Sequence, residues 1–164
     1  MPSMEIVHEE IERYITALHP VEDAVLCEME ALGRVRRFPI VGPVVGRILC
    51  QYASLLRAET IFEMGSGFGY STYWFALALP ASGQIYHTDT NPDHSRQARE
   101  FFRRGGLPAK AHFLTGDALE LIDETRGEFD VIFIDIEKES YPEAYEKAKK
   151  RLRRGGLLIA DNAL

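Results

Sequence analysis

Acidic and amide side chains stand at the ends of two apolar runs near the close of the 164-residue chain. Asp135 lies near the end of the run Phe129–Ile136, and Asp161 and Asn162 follow the run Leu157–Ala160. If these runs are adjacent parallel strands, their carboxyl ends bring the three side chains to one rim. Two carboxylates and an amide suit Mg²⁺, Ca²⁺ or Mn²⁺ better than Zn²⁺. The pattern predicts a divalent-cation site, with loop capping by these side chains as the alternative.

A glycine-rich turn follows another apolar run, and an acidic residue precedes it. Glycines alternate at Gly65, Gly67 and Gly69, which lets a ligand lie against the backbone; a tight turn without a ligand is the alternative. A dinucleotide-binding turn reads G-x-G-x-x-G, but this chain has Tyr70 at the last position. Glu63 would repel a pyrophosphate and attract an ammonium group. The turn therefore indicates a ligand other than a dinucleotide.

Asp89 closes the next apolar run, 20 residues after Gly69. An acid at the end of the second strand of such a fold accepts hydrogen bonds from ribose hydroxyls. Asn91 and Asp93 precede a helical pattern and are explained as helix caps, whereas no such structural role is evident for Asp89. We therefore expect Asp89 to bind a ribose, and His94 to be a surface or helix-end residue.

Short apolar runs alternate with helical patterns from Thr60 onward, which is typical of a parallel sheet between helices. The predicted strands are Thr60–Met64, Gln84–Thr90, Ala111–Thr115, Phe129–Ile136 and Leu157–Ala160. The main helical patterns between them are Tyr70–Leu79, Pro92–Arg104 and Tyr141–Arg154. Right-handed crossovers then predict a doubly wound, Rossmann-like α/β sheet with strand order 3-2-1-4-5.

Residues 1–58 have helical periodicity and predict three amphipathic helices ahead of the α/β core at 59–164, all within a single domain. The basic segment Arg34–Pro39 between two of these helices is expected to be a solvated loop; a substrate-facing loop is the alternative.

The acidic balance narrows the classes of partner. A formal charge of −6 argues against nucleic acid or an anionic membrane surface as partner, because phosphate groups require a basic face. Cys27 and Cys50 are too few for a disulfide scaffold, which favours a reducing compartment. No run of about 18 apolar residues occurs. We expect a cytoplasmic protein that binds neither nucleic acid nor membrane.

Several segments, taken in order, resemble the class I S-adenosylmethionine-dependent O-methyltransferases of the catechol and caffeoyl-CoA type. They are Glu63–Thr72, Thr88–Asp93, Gly116–Ala118, Phe129–Tyr141 and Gly155–Leu164. The pieces F-D-x-I-F-I-D-x-x-K-x-x-Y and G-G-L-L-I-A-D-N are the most selective ones. The resemblance implies methyl transfer from S-adenosylmethionine to a hydroxyl of a small, catechol-like acceptor, assisted by a divalent cation.

The resemblance also assigns roles to individual residues. The methionine part of the cofactor is assigned to Glu63, Gly65, Gly67, Gly69 and Ser71, with Val41 aligning near its carboxylate. The ribose is assigned to Asp89, and the neighbourhood of the adenine to Asp117 and Ala118. The metal ligands are Asp135, Asp161 and Asn162, and Lys138 is the proton acceptor. Asp135 counts in addition among the cofactor-binding and catalytic residues.

Two departures from the family pattern and two competing functions accompany this hypothesis. Glu137 stands where many relatives have Asp, and the family continues past the D-N motif into an antiparallel strand pair. We expect either that the sequence is part of a longer protein, which we favour, or that a partner covers the edge strand. The competing functions are a nucleotide-dependent oxidoreductase and a cofactor-binding protein without transferase activity. A homodimer is expected, because relatives are commonly dimers.

Overall fold

Three helices precede the first strand of the computed structural model, which describes residues 8–18, 20–107 and 110–162. They are α1 (Glu9–Leu18), α2 (Ala24–Arg36) and α3 (Gly42–Leu56). The Asp23 carboxylate caps α2 by accepting hydrogen bonds from the backbone nitrogens of Val25 (2.8 Å) and Leu26 (3.0 Å). Residues 1–7 and 19 of the predicted helical segment 1–58 lie outside the described part, as do residues 163–164 of the segment Gly155–Leu164.

Five parallel strands follow within the described residues and form one sheet in the order β3-β2-β1-β4-β5. They are β1 (Thr60–Met64), β2 (Gln84–Asp89), β3 (Ala111–Thr115), β4 (Phe129–Ile134) and β5 (Leu152–Ala160). The connecting helices are α4 (Tyr70–Ala78), α5 (Pro92–Arg104), α6 (Ala118–Glu124) and α7 (Tyr141–Arg151), with a 3-10 turn at Lys138–Ser140. The predicted doubly wound sheet and its strand order are confirmed.

The largest departure from the predicted elements is at β5. This strand begins at Leu152 rather than Leu157, and α7 correspondingly ends at Arg151 rather than Arg154. Leu152 pairs with Phe129 before the register shifts, so that the helical charge pattern runs directly into a strand. The short helix α6 was not predicted; the Asp117 carboxylate caps it by accepting a hydrogen bond from Leu119 N at 2.8 Å.

Two apolar clusters hold helices against the two faces of the sheet. The larger cluster joins buried residues of α2, α3, α4 and α5 to β1, β2 and β4, and includes Met29, Leu49, Phe75 and Phe102. The smaller cluster packs α6 and α7 on the other face around Ile122, Ala144 and Ala148. Helices α2 and α3 thus share a core with the sheet. Within the described ranges, none of the helices combines the length and apolar character needed to cross a membrane.

Candidate functional site

A cavity of about 350 Å³ opens at the carboxyl edge of the sheet, beside the point where the chain reverses strand order between β1 and β4. It is the place where ligands bind in open α/β sheets. Nine residues singled out from the sequence line it: Val41, Gly65, Gly67, Ser71, Asp89, Asp135, Lys138, Asp161 and Asn162. An adjoining cavity of about 230 Å³ shares Gly65, Asp89 and Ile136 and is lined by Asp117 and Ala118.

The glycine turn between β1 and α4 is fixed against the neighbouring strands. Gly65 has φ +82°, and a Cβ on it would overlap the carbonyl oxygen of Asp135. Only glycine permits both this backbone conformation and this approach. Ser66 N donates to Thr88 O at 2.8 Å on the other side. The turn therefore presents its backbone to the cavity, while Gly69 lies behind it at the start of α4.

Glu63 is placed beneath the turn and is not part of the cavity lining. Its side chain has no exposed surface, and its two oxygens accept hydrogen bonds from the hydroxyls of Ser71 and Thr72 in the first turn of α4. Burial raises the pKa of Glu63 to about 7 against these hydrogen bonds. Its predicted contact with a ligand ammonium group stays a prediction; what the structure shows is an anchor for α4.

Asp89 borders both cavities and also has a structural role that the sequence did not reveal. Its Oδ1 accepts hydrogen bonds from Asn91 N (2.7 Å) and from His94 Nδ1 (3.0 Å). Asn91 in turn caps α5 by accepting from Asp93 N at 2.9 Å. Asp89 therefore shapes the turn after β2 while it faces the cavities. Its role toward a ribose stays a prediction.

Two carboxylates and an amide meet at the ends of β4 and β5. Burial and the nearby charge of Asp161 together raise the pKa of Asp135 to about 6. Asn162, which has a left-handed φ of 48°, donates from Nδ2 to Asp161 Oδ2 at 2.7 Å. These oxygens are of the kind that bind hard cations. The described residues contain no group of three or more His, Cys, Asp or Glu side chains that could hold a metal. The predicted ligand set has only two acids, and its third member is the amide of Asn162.

Lys138 is held at this rim by the residue that ends its sequence motif. Its Nζ donates to Tyr141 Oη at 2.7 Å and to Asp161 O at 2.8 Å. Tyr141 Oη donates in turn to Asp161 O at 2.6 Å. The hydrogen bond with Tyr141 raises the pKa of Lys138. The ammonium group thus ties the 3-10 turn to the end of β5.

An apolar wall opposite the acidic rim comes from the loop between α2 and α3. Phe38, Pro39, Ile40 and Val41 line the larger cavity. The Phe38 ring lies 5.2 Å from that of Phe68 between centroids. The prediction of a solvated loop over Arg34–Pro39 is wrong in two places: Arg34–Arg36 form the last turn of α2, and the Phe38 side chain lines the cavity. An apolar aromatic residue within a basic run was the available signal.

Comparisons with known proteins identify the family and agree with the fold. A family model described as O-methyltransferase matches residues 36–164. A catechol O-methyltransferase from Niastella koreensis is 35% identical over 164 aligned residues, covering 96% of this chain and 74% of that protein. A catechol O-methyltransferase from Mycobacterium tuberculosis is 30% identical over 120 residues, covering 73% of this chain and 54% of that protein.

A solved structure extends the comparison from sequence to fold. The O-methyltransferase from Bacillus cereus, determined in complex with SAH, has a TM-score of 0.86 and 29% identity, covering 93% of this chain and 72% of that protein. The family match spans most of the chain, and its residues are those that build both cavities. The chain belongs to the O-methyltransferase family.

Proposed function

We propose that the chain binds S-adenosylmethionine across the two cavities and transfers its methyl group to a hydroxyl of a small, catechol-like acceptor, with a divalent cation assisting. The observation that carries this proposal is the continuous surface from the glycine turn through Asp89 to the acidic rim at Asp135 and Asp161. The SAH complex of the Bacillus cereus relative and the names of the catechol O-methyltransferases support the cofactor and the acceptor class.

The cofactor's chemistry is a methyl group on a sulfonium ion, which a neighbouring oxygen can attack. The residues present fit such a cation, since Asp89, Asp135 and Asp161 are acidic and the turn offers backbone rather than basic side chains. In this proposal the turn backbone and Ser71 hold the methionine part. Asp89 accepts hydrogen bonds from the ribose hydroxyls, and Asp117 and Ala118 border the adenine.

A divalent cation, if bound by Asp135, Asp161 and Asn162, would supply Lewis-acid chemistry that lowers the pKa of an acceptor hydroxyl. The hard oxygen donors fit Mg²⁺, Ca²⁺ or Mn²⁺. The Phe38–Val41 wall would exclude water and orient a flat acceptor against the rim. Reaction requires the acceptor oxygen and the methyl group to be held in near-attack geometry.

Lys138 remains the proposed proton acceptor at this rim. It lies beside Asp135 and Asp161, within the same cavity. To act as a base, its Nζ must first lose a proton, and the hydrogen bond with Tyr141 opposes that loss. Rearrangement of this hydrogen bond is therefore part of the proposal.

Calorimetric titration with S-adenosylhomocysteine and with NAD tests the cofactor. We expect binding of S-adenosylhomocysteine alone. Binding of NAD alone would favour the oxidoreductase hypothesis. Methyl transfer to a panel of catechols, with Mg²⁺ and with a chelator, tests the rest. Cofactor binding without turnover of any acceptor would favour a non-catalytic binding protein, and turnover unaffected by chelation would remove the cation from the proposal.

We further propose a cytoplasmic homodimer. Exposed apolar side chains on the outer faces of α1 and α3 support self-association, among them Tyr14, Leu18, Tyr52 and Leu55. Light scattering coupled to size exclusion measures the mass in solution. A monomeric mass at tens of micromolar protein would contradict the dimer.

A further inference from the structure

The side chain of His94 lies between the candidate ribose acid and the N-terminal loop. It belongs to the first turn of α5, and its side chain is 20% exposed. Nδ1 is 3.0 Å from Asp89 Oδ1, and the ring meets Phe38 edge to face with centroids 5.1 Å apart. A surface histidine with only a helix-end role would not be packed on both sides in this way.

Asp89 is left with one oxygen for a ligand. Asn91 N and His94 Nδ1 both donate to Oδ1, and in the described chain no hydrogen bond is donated to Oδ2. Two donors on the same oxygen fix the rotation of the carboxylate about its last bond. The charge of the ligand-facing oxygen is then oriented before a ligand arrives, which reduces the entropy lost on binding.

Phe38 restricts His94 from the opposite side. A Cβ on Gly67, whose φ is +51°, would come within 2.8 Å of the Phe38 ring. The ring is thus seated on the glycine turn, next to Phe68, and blocks His94 from rotating away from Asp89. The contact joins three parts of the site: the α2–α3 loop, the turn after β1 and the acid that ends β2.

We infer that His94 is a positioning residue for ribose recognition. Its Nδ1–H fixes the Asp89 carboxylate so that Oδ2 accepts a hydrogen bond from a hydroxyl of the bound nucleoside. This inference rests on the proposed function, because it assumes a ribose-containing ligand at Asp89. Loss of the donor frees the Asp89 carboxylate to rotate, so ligand binding is expected to weaken on the order of tenfold.

The test compares two ligands by calorimetry: S-adenosylhomocysteine and its analogue that lacks both ribose hydroxyls. His94→Leu removes the donor and is expected to weaken binding of S-adenosylhomocysteine about tenfold while changing the affinity for the analogue less than twofold. His94→Asn keeps a side-chain N–H at a similar distance and should restore most of the loss. In an Asp89→Ala background, His94→Leu should have no further effect.

The matched control is His112→Leu, because His112 also makes one side-chain hydrogen bond, to Gln84 at 2.6 Å, but lies at the start of β3, outside both cavities. It should change neither affinity. Equal loss for the two ligands, additivity with Asp89→Ala, or no loss would overturn the inference while leaving the proposed function intact. Failure of the wild-type chain to bind S-adenosylhomocysteine at all would overturn the proposed function and this inference together.

Discussion

Glu63 links the glycine turn to α4 through a carboxyl group that is completely buried. Burial raises its pKa from 4.5 to about 7, although the hydroxyls of Ser71 and Thr72 favour the ionised form. As the pH rises, the carboxyl of the unfolded chain ionises at a lower pH than the carboxyl of the folded protein. The stability contributed by neutral Glu63 is therefore fully present below pH 4.5 and is lost between pH 4.5 and about 7.

Glu63→Gln should remove this part of the pH dependence. Converting the difference between 4.5 and about 7 gives about 3 kcal/mol of unfolding free energy that wild type loses over this range and the variant keeps. Urea unfolding at several pH values measures it. Glu120→Gln, at an exposed position on α6, is the matched control and should follow wild type. Parallel pH profiles for wild type and Glu63→Gln would contradict the assignment.

The residues that follow strands could be placed from the sequence, whereas those that arrive from other elements could not. Asp89, Asp135 and Asp161 were located because the carboxyl ends of parallel strands share one edge. Phe38 and His94 meet only after the chain has folded; the one sequence signal at Phe38 is an aromatic residue within a basic run, and His94 has no periodic or motif signal. The buried position of Glu63 depends likewise on how α4 packs over the turn, which residue spacing does not reveal.

At the scale of elements, Asp130 fastens the amino ends of β1 and β5 to β4. Its Oδ2 accepts from the backbone nitrogens of Glu59 and Thr60, both at 2.7 Å, and Arg153 donates to its other oxygen. Burial opposes ionisation, but these donors outweigh it and lower the pKa of Asp130. The clamp lies at the edge of the sheet opposite the cavities.

Asp130→Asn should destabilise the fold without changing the affinity for S-adenosylhomocysteine. However the amide turns, its NH₂ group faces either the two backbone N–H groups or the Arg153 guanidinium. Leaving such donors without an acceptor costs about 1–3 kcal/mol. Thermal unfolding and calorimetry measure the two effects. Asp123→Asn removes the negative charge from only an exposed contact with Lys147 and should leave both unchanged. A large loss of affinity in Asp130→Asn would contradict a purely structural clamp.

Element type was easier to predict than element boundaries. Short apolar runs between helical patterns identified each strand, because parallel strands that are buried on both faces consist of consecutive apolar residues. The start of β5 was missed, since Arg153 and Arg154 continue a helical charge pattern. Only the pairing of Leu152 with Phe129 before them, and of Leu157 with Val131 after them, places them within a strand. The Asp130–Arg153 contact, across 23 residues, supplies the tertiary interaction that sequence periodicity does not contain.

At the scale of the whole molecule, α2 and α3 should unfold together with the α/β core, because one apolar cluster contains residues from these helices and from the sheet. Trp74, the single tryptophan of the chain, reports on their junction. It belongs to α4, packs against Gly46 of α3, and lies under the Arg47 guanidinium at 5.5 Å from the ring centroid. Its fluorescence follows separation of the helices from the sheet, while far-UV circular dichroism follows loss of the whole secondary structure.

We expect the two signals to change at the same denaturant concentration, as in a two-state transition. Gly46→Ala places a Cβ into the Trp74 ring and should lower that concentration, because overpacking of this kind costs about 1–3 kcal/mol. Both signals should shift by the same amount. Gly127→Ala is the control for a glycine substitution away from Trp74, because a Cβ at Gly127 meets nothing within 4 Å. Its φ of +91° is strained for alanine, so this variant should also shift both transitions equally. It should leave the native fluorescence spectrum unchanged. A fluorescence transition that precedes the dichroism transition would instead mean that the helices detach first, and that the cavity wall at Phe38 opens before the sheet unfolds.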